Sequence, residues 1–287
     1  MSRKSGNRFC EKDMLKERRA ERDDDSKKSH PALALQPAIV ITGAGSSLGR
    51  ELARLAALDG SALVLVDDPG HDCDAGEFEH YGVPAAAFEI DVTAPDALDR
   101  LQGALAARGL YCDVQVNSAA IATIGPLNKV SPRRQIDIIN LNVRALTELT
   151  LGFVPAMVAR KRGGVLNVGS FAPFPVCPEL AVYYASKAYV NAFSTALARE
   201  LAGTGVTVTC VAAGLITESF EHWAGKQSLA LLPQSSATDT AISAWLGLKT
   251  GQRLVVPNLS NALLASMGKW LPPRVLQRWL EASQRAA

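Results

Sequence analysis

Tyr183 and Lys187 stand four residues apart at the start of a segment whose apolar spacing predicts a helix. That spacing puts both side chains on one helical face. A free phenol loses its proton near pH ~10, too high for a base at neutral pH. An ammonium ~4 Å away, at an effective dielectric of ~20, favours the phenolate by roughly 4 kcal/mol. At ~1.4 kcal/mol per unit, the phenol pKa is expected to fall by about three units, into the range of a general acid or base. Taken alone, the pair also fits an ordinary aromatic and a solvated lysine on one helix.

The rest of the chain supplies a frame for such a pair. Residues 38–42, 62–66, 85–90, 114–116, 164–170 and 206–211 are short apolar runs, mostly β-branched and without helical period, which predicts buried strands. Helices are expected between them: 50–58, 96–107 with Thr93 as its cap, 133–160 broken near Pro126 to Pro132 and again at Pro155, and 183–201. Val255, Val256 and Pro257 read as a last strand. This alternation implies an α/β fold with a doubly wound parallel sheet, a Rossmann fold in one domain.

The first strand runs into Gly43, Ala44, Gly45, Ser46, Ser47, Leu48 and Gly49, and a helix follows. Strand, glycine turn and helix in that order make a phosphate cradle, because the backbone can approach a pyrophosphate and the helix N-terminus faces it. The same stretch fits the G-x-S-x-G elbow of serine hydrolases with Ser47 as nucleophile. That elbow needs strands before it and a late histidine, whereas only a charged tail precedes this turn and His222 is the one histidine past residue 80. Asp67 ends the second strand, 24 residues beyond Gly43, where a dinucleotide fold places a carboxylate on the adenosine ribose. A carboxylate there repels a 2′-phosphate, and no arginine or lysine follows at once to bind one. NAD is therefore expected over NADP.

Composition narrows the remaining classes. With 287 residues, 48% hydrophobic and 20% charged, the chain can bury an enzyme-sized core. A formal net charge of +2 gives no case for nucleic acid. Cys10, Cys73, Cys112, Cys177 and Cys210 are scattered singly and read as free thiols in a reducing compartment. The four histidines do not cluster with other ligand residues, so no metal is expected. No apolar run approaches the ~18 residues of a membrane helix, and a cytoplasmic location is the default. Residues 1–35 mix both charge signs and are expected to be a disordered tail; 36–260 are expected to form the α/β domain and 261–287 a helical extension.

The assembled pattern resembles the short-chain dehydrogenase/reductase family over roughly residues 36–260. The family's T-G-x-x-x-G-x-G loop is similar to Thr42 through Gly49, and its N-N-A-G strand end to Asn117 through Ala120. Its helix asparagine aligns with Asn142. Its serine, followed thirteen residues later by Y-x-x-x-K, aligns with Ser170, Tyr183 and Lys187. The resemblance implies that Tyr183 exchanges the proton with the substrate oxygen and that Ser170 positions that oxygen. It implies that Lys187 lowers the tyrosine pKa and binds the nicotinamide ribose, and that Asn142 holds a water of the relay. For the cofactor it implies contacts from Gly43, Ser46, Ser47, Leu48, Gly49, Asp67, Asp91, Val92, Asn117, Ala119, Tyr183, Lys187, Gly214 and Ile216. It also implies a homodimer or homotetramer built on the two long helices.

Departures from the pattern fall on the cofactor side. Ser47 replaces the middle glycine, Ser118 and Ala120 replace the second asparagine and the glycine, and Ala213 replaces a proline. Thr217 and Glu218 fall where the family has a threonine touching the carboxamide. Phe171, Phe174, Phe220, Trp223 and residues 229–232 suggest an apolar wall, hence a hydrophobic alcohol or ketone substrate. The amphipathic stretch 270–280 is expected to pack on its own domain or a sister subunit, with membrane-surface contact as the other reading. The functional expectation is an NAD(P)-dependent oxidoreductase; the alternative is a non-catalytic dinucleotide-binding relative.

Overall fold

The computed structural model describes residues 35–170, 179–216 and 234–257. The charged tail up to residue 34, the aromatic positions from Phe171 to Leu232 named above, Thr217, Glu218 and the C-terminal extension lie outside the described residues. The chain divides into two units, Met1–Leu35 and Gln36–Ala287, and every element below belongs to the second.

Seven parallel strands form one sheet. They are β1 (Gln36–Thr42), β2 (Ala62–Asp67), β3 (Ala85–Glu89), β4 (Leu110–Asn117), β5 (Gly163–Ser170), β6 (Val206–Ala213) and, after a two-stranded ribbon of β7 (Leu215–Ile216) with β8 (Gln234–Ser235), β9 (Leu254–Val255). The order is β3-β2-β1-β4-β5-β6-β9. Successive strands leave β1 to one side and then, from β4, to the other. The crevice between the carboxyl ends of β1 and β4 is therefore the topological switch point, where open α/β sheets bind ligands.

The strands are apolar on both faces because helices cover both. On one face, Val40, Val64, Val165 and Val208 pack under α2 (Ala97–Ala106), α4 (Leu146–Arg160) and α5 (Ala181–Glu200). On the other, Ile41, Leu65, Leu166 and Val211 pack under α1 (Ser47–Leu58) and α6 (Ala237–Lys249). A short helix α3 (Pro132–Ile139) runs through a π turn (Asn140–Ala145) into α4.

Two expectations about helices fail for local reasons. Pro155 does not break α4, because Pro155 and Leu151 four residues before it are both exposed, so the carbonyl without its helical partner faces water. Thr93 does not cap α2: Asp96 is the N-cap, and the Thr93 hydroxyl donates instead to Asp91 Oδ1 at 2.7 Å. A 3-10 helix, Ala75–Tyr81, fills the connection between β2 and β3 where no element was expected.

The turn after β1 depends on its glycines, Gly43 and Gly45 among them. Gly43 has φ +67°, and a Cβ there would lie 2.7 Å from Ala119 Cα. Gly45 has no side chain to collide with the Asp72 carbonyl oxygen, which would sit 2.6 Å from a Cβ. Gly43→Ala therefore combines a left-handed backbone with a backbone clash, and we expect it to lower stability by about 2 kcal/mol or more. The midpoint of urea unfolding checks this; an unchanged midpoint would contradict the geometry.

Candidate active site

Lys187 and Tyr183 begin α5, whose start faces the carboxyl end of β5. Lys187 is 4% exposed, and its Nζ donates to the Val168 carbonyl at 2.9 Å. Ser170 closes the same strand, and its carbonyl accepts from Asn191 Nδ2 at 2.9 Å. Behind the lysine lies Cys210, fully buried on β6, with Sγ 3.3 Å from Asn191 Oδ1.

Asn142 ties the π turn to this corner. Its Oδ1 accepts from the Ile121 amide and its Nδ2 donates to the Ile121 carbonyl, both at 3.0 Å. The same Nδ2 donates to Ser186 Oγ at 3.1 Å, and Ser186 Oγ donates to the Tyr183 carbonyl at 2.6 Å. The asparagine side chain thus clamps the loop after β4 to the first turn of α5. Both Nδ2 donors are thereby committed, so the side chain has only a lone pair on Oδ1 left to offer a water.

The electrostatics reverse the expectation drawn from spacing. Burial pushes the Tyr183 phenol up to about 12, and burial also brings the Lys187 ammonium down to about 8. The lysine nitrogen lies 5.9 Å from the centre of the tyrosine ring and donates to the Val168 carbonyl. The expectation from spacing counted a Coulomb gain and left out the desolvation of both groups. Tyr183 consequently holds its proton at neutral pH.

On the glycine-turn side, Ser46 caps α1: its Oγ accepts from the Gly49 amide at 3.0 Å and donates to the Gly43 carbonyl at 2.7 Å. Ser47 opens the helix at its N-terminus, while the Leu48 side chain turns inward and is 3% exposed. Ser118 Oγ, next to the turn, is buried with no hydrogen-bond partner among the described residues. A helix N-terminus, a turn into which only hydrogen fits, and an orphaned hydroxyl beside it suit the phosphates and ribose of a dinucleotide.

Asp67 is found where the spacing put it, yet its carboxylate is already engaged. Oδ2 accepts from the Gly45 amide at 2.7 Å; Oδ1 meets the Asp68 amide and His71 Nδ1, each at 2.9 Å. Asp91 Oδ1 accepts from the Thr93 amide at 2.8 Å, and Val92 beside it is buried. Gly214 and Ile216 follow β6 on the same edge of the sheet. Asn117 does not offer its side chain to this edge. Its Oδ1 accepts from Gln115 Nε2 at 2.9 Å, and its Nδ2 donates to Asn167 Oδ1 at 2.8 Å and Thr150 Oγ1 at 3.3 Å. Asn167 Nδ2 in turn donates to Ser194 Oγ at 2.9 Å. Asn117 and Asn167 are register partners, so this buried chain of polar side chains cross-links the sheet to α4 and α5.

Spacing alone did not reveal the open cleft beside Tyr183, lined by Thr123, Leu127, Val130, Ile138 and Leu180. Its walls come from the segment after β4 and from α3. The signal available was position: that segment follows the carboxyl end of a strand flanking the switch point. Among the described residues, no group of His, Cys, Asp or Glu is placed to hold a metal ion. No described helix is long and apolar enough to cross a membrane.

Comparison with known proteins adds independent findings. The family model described as short chain dehydrogenase matches residues 37–227. A very-long-chain 3-oxoacyl-CoA reductase of Laccaria bicolor is 32% identical over 219 residues, 74% of this chain and 64% of the relative. The chain thus spans less than two thirds of that reductase. A galactitol 2-dehydrogenase (L-tagatose-forming) of Cereibacter sphaeroides is 33% identical over 196 residues, covering 64% of this chain and 77% of the relative. Among solved structures, a short-chain dehydrogenase from Sphingobium yanoikuyae in complex with NADPH superposes with a TM-score of 0.69 at 28% identity, covering 78% of this chain and 88% of that one.

Proposed function

The chain belongs to the short chain dehydrogenase family, and from that premise we propose that it is a nicotinamide-dependent oxidoreductase that reduces hydrophobic ketones to secondary alcohols. The observation that carries this reading is a tyrosine on the rim of a mostly aliphatic cleft, with a buried lysine one turn on along the same helix. A protonated phenol is a proton donor, which suits carbonyl reduction better than alcohol oxidation at neutral pH.

The bound nicotinamide would supply the hydride. Tyr183 donates its hydroxyl proton to the carbonyl oxygen, and Ser170, at the end of β5, hydrogen-bonds that oxygen and orients it. Lys187 keeps an ammonium near the phenolate as it forms and reaches the nicotinamide ribose. Asn142 positions Tyr183 through Ser186 and its main chain. Gly43, Ser46, Ser47 and Gly49 would hold the pyrophosphate at the start of α1, with Leu48 contributing backbone. Asp67 would take the adenosine ribose, with Asp91 and Val92 nearby. Ala119, Gly214 and Ile216 would border the nicotinamide end. NAD is favoured over NADP because the Asp67 carboxylate, at the end of β2, would repel a 2′-phosphate.

The two relatives act on very different molecules by name, one on a long-chain acyl-CoA and one on a sugar alcohol. Family membership thus leaves the substrate open; the cleft wall is mostly aliphatic, with Thr123, Gln135 and Glu179 as its polar members, and this favours a largely apolar substrate. The exposed Ile136, Ile139, Leu151 and Tyr189 on α3, α4 and α5 support a homo-oligomer through these helices. Cys73, Cys112 and Cys210 are free, in keeping with a cytoplasmic setting.

Fluorescence titration of the apo chain with NADH and NADPH tests the reading. We expect saturable binding of both, NADH the tighter. Tighter NADPH reverses the cofactor preference, and saturation by neither removes the enzyme assignment. The second reading, a dinucleotide-binding relative without turnover, draws on the prior engagement of Asp67 by Gly45, Asp68 and His71. Binding without turnover across a panel of apolar ketones would favour it.

A further inference from the structure

The segment after β2 folds back against the glycine turn and brings two carboxylates onto a cation that follows the turn directly. Arg50, in the first turn of α1, directs Nη2 to the Asp72 carbonyl oxygen at 3.0 Å and to the Asp72 carboxylate at 3.1 Å. Its Nε is 3.3 Å from Glu77 Oε2. The same Asp72 carbonyl oxygen is the atom that a Cβ on Gly45 would meet, with Asp67 Oδ2 the next nearest at 3.1 Å. The guanidinium is therefore separated from Gly45 and Asp67, the adenosine-ribose end of the cradle, by the width of one carbonyl group.

A guanidinium at that end is the group best suited to a 2′-phosphate, which it grips through two parallel N–H donors. Here Nη2 and Nε, one edge of that fork, are engaged by Asp72 and Glu77. Carboxylates also dominate the surroundings: Asp72 and Glu77 hold the one arginine, and Asp67, Asp68 and Asp91 lie close to one another at the end of β2. The crowding is felt by Asp68, whose carboxyl is raised first by burial and then by the charges of Asp91 and Asp67. His71, the other basic group nearby, faces Asp67.

We propose that Asp72 and Glu77 are cofactor-specificity residues: by holding Arg50 they deny a 2′-phosphate that guanidinium, so that discrimination against NADP rests on three carboxylates, not on Asp67 alone. The inference rests on the reading that this cleft takes a nicotinamide dinucleotide. It puts the preference in a pair of ion pairs bridging α1 and the segment after β2.

A binding cycle tests it, read by fluorescence titration with NADH and NADPH. Both carboxylate side chains are substantially exposed, 86% for Asp72 and 40% for Glu77, so their amide variants are expected to fold. In Asp72→Asn/Glu77→Gln, NADPH is expected to bind about tenfold tighter while NADH changes by less than about twofold, the gain of one charge-assisted contact. Adding Arg50→Gln should return NADPH to the wild-type affinity, and Arg50→Gln alone should leave it nearly unchanged. An NADPH affinity that does not rise in the double variant overturns the proposal. So does a gain that survives Arg50→Gln, because it would come from lost repulsion in general. A wild-type chain that binds neither cofactor is a separate result, and overturns the dinucleotide reading itself.

Discussion

Tyr183→Phe is expected to lose turnover by about a thousandfold or more while binding NADH within about twofold of wild type, since a positioned acid contributes roughly 10²–10⁴ and the ring that packs the cleft remains. The edge-on contact with Tyr184, at 5.9 Å between ring centres, needs no hydroxyl and should survive. Stopped-flow reduction of an apolar ketone under saturating NADH separates chemistry from binding. The pH profile adds a second reading. Tyr183 holds its proton up to about 12, so the donor is present throughout the neutral range. Lys187 gives up its charge near about 8, so reduction should run level below that pH and decline above it. Full turnover in the phenylalanine variant would remove Tyr183 from the chemistry.

The direction of that profile is where reading the sequence fell short. Spacing identified Tyr183 and Lys187 as neighbours on one helical face, because a helix imposes its period whatever surrounds it. Spacing says nothing about what lies against the other side. The Val168 carbonyl, fifteen residues before Tyr183, accepts from the lysine nitrogen, and packing against neighbouring elements desolvates both groups. The strands were legible for a related reason: residues 38–42 and 62–66 are buried on both faces, which leaves a continuous apolar run. The extra residues at their edges, such as Gln36 and Pro37, join the sheet only through pairing with Leu110 and Tyr111. Pairing of that kind is a property of the partner strand and leaves no local mark. Asn117 is the same case at the site. The family resemblance implied a cofactor contact at Asn117; its side chain closes a buried polar chain with Gln115, Thr150 and Asn167, set by partner elements that leave no mark in the local sequence. Arg50 was out of reach of any argument from sequence neighbours, since it meets the segment after β2 only because α1 and that segment share one end of the sheet.

Lys187→Met is expected to separate function from stability. Burial lowers the lysine pKa from 10.5 to about 8, which means the folded chain disfavours the charged form by about 3 kcal/mol at ~1.4 kcal/mol per unit. The sign follows from proton counting. Below about 8 both states are protonated and the folded state bears the whole desolvation term. Between about 8 and 10.5 the unfolded chain still binds the proton that the folded chain has released, so stability rises with pH. Above 10.5 neither state holds it and the dependence ends. Methionine fills nearly the same space without charge, leaving the Val168 carbonyl without a donor at a cost of about 1 kcal/mol. The net expectation at neutral pH is a gain of about 2 kcal/mol, or a melting temperature higher by about 4–8 °C for a chain of this size. Turnover should fall by about a hundredfold or more, because the ammonium that meets the developing phenolate is gone. Differential scanning calorimetry at pH 7 and 9.5 distinguishes the cause. If desolvation of the charge is responsible, wild type should close most of the gap at the higher pH. A variant that melts lower than wild type at both values would show that the hydrogen bond to Val168 outweighs the buried charge, and that Lys187 helps to hold the corner between β5 and α5 together.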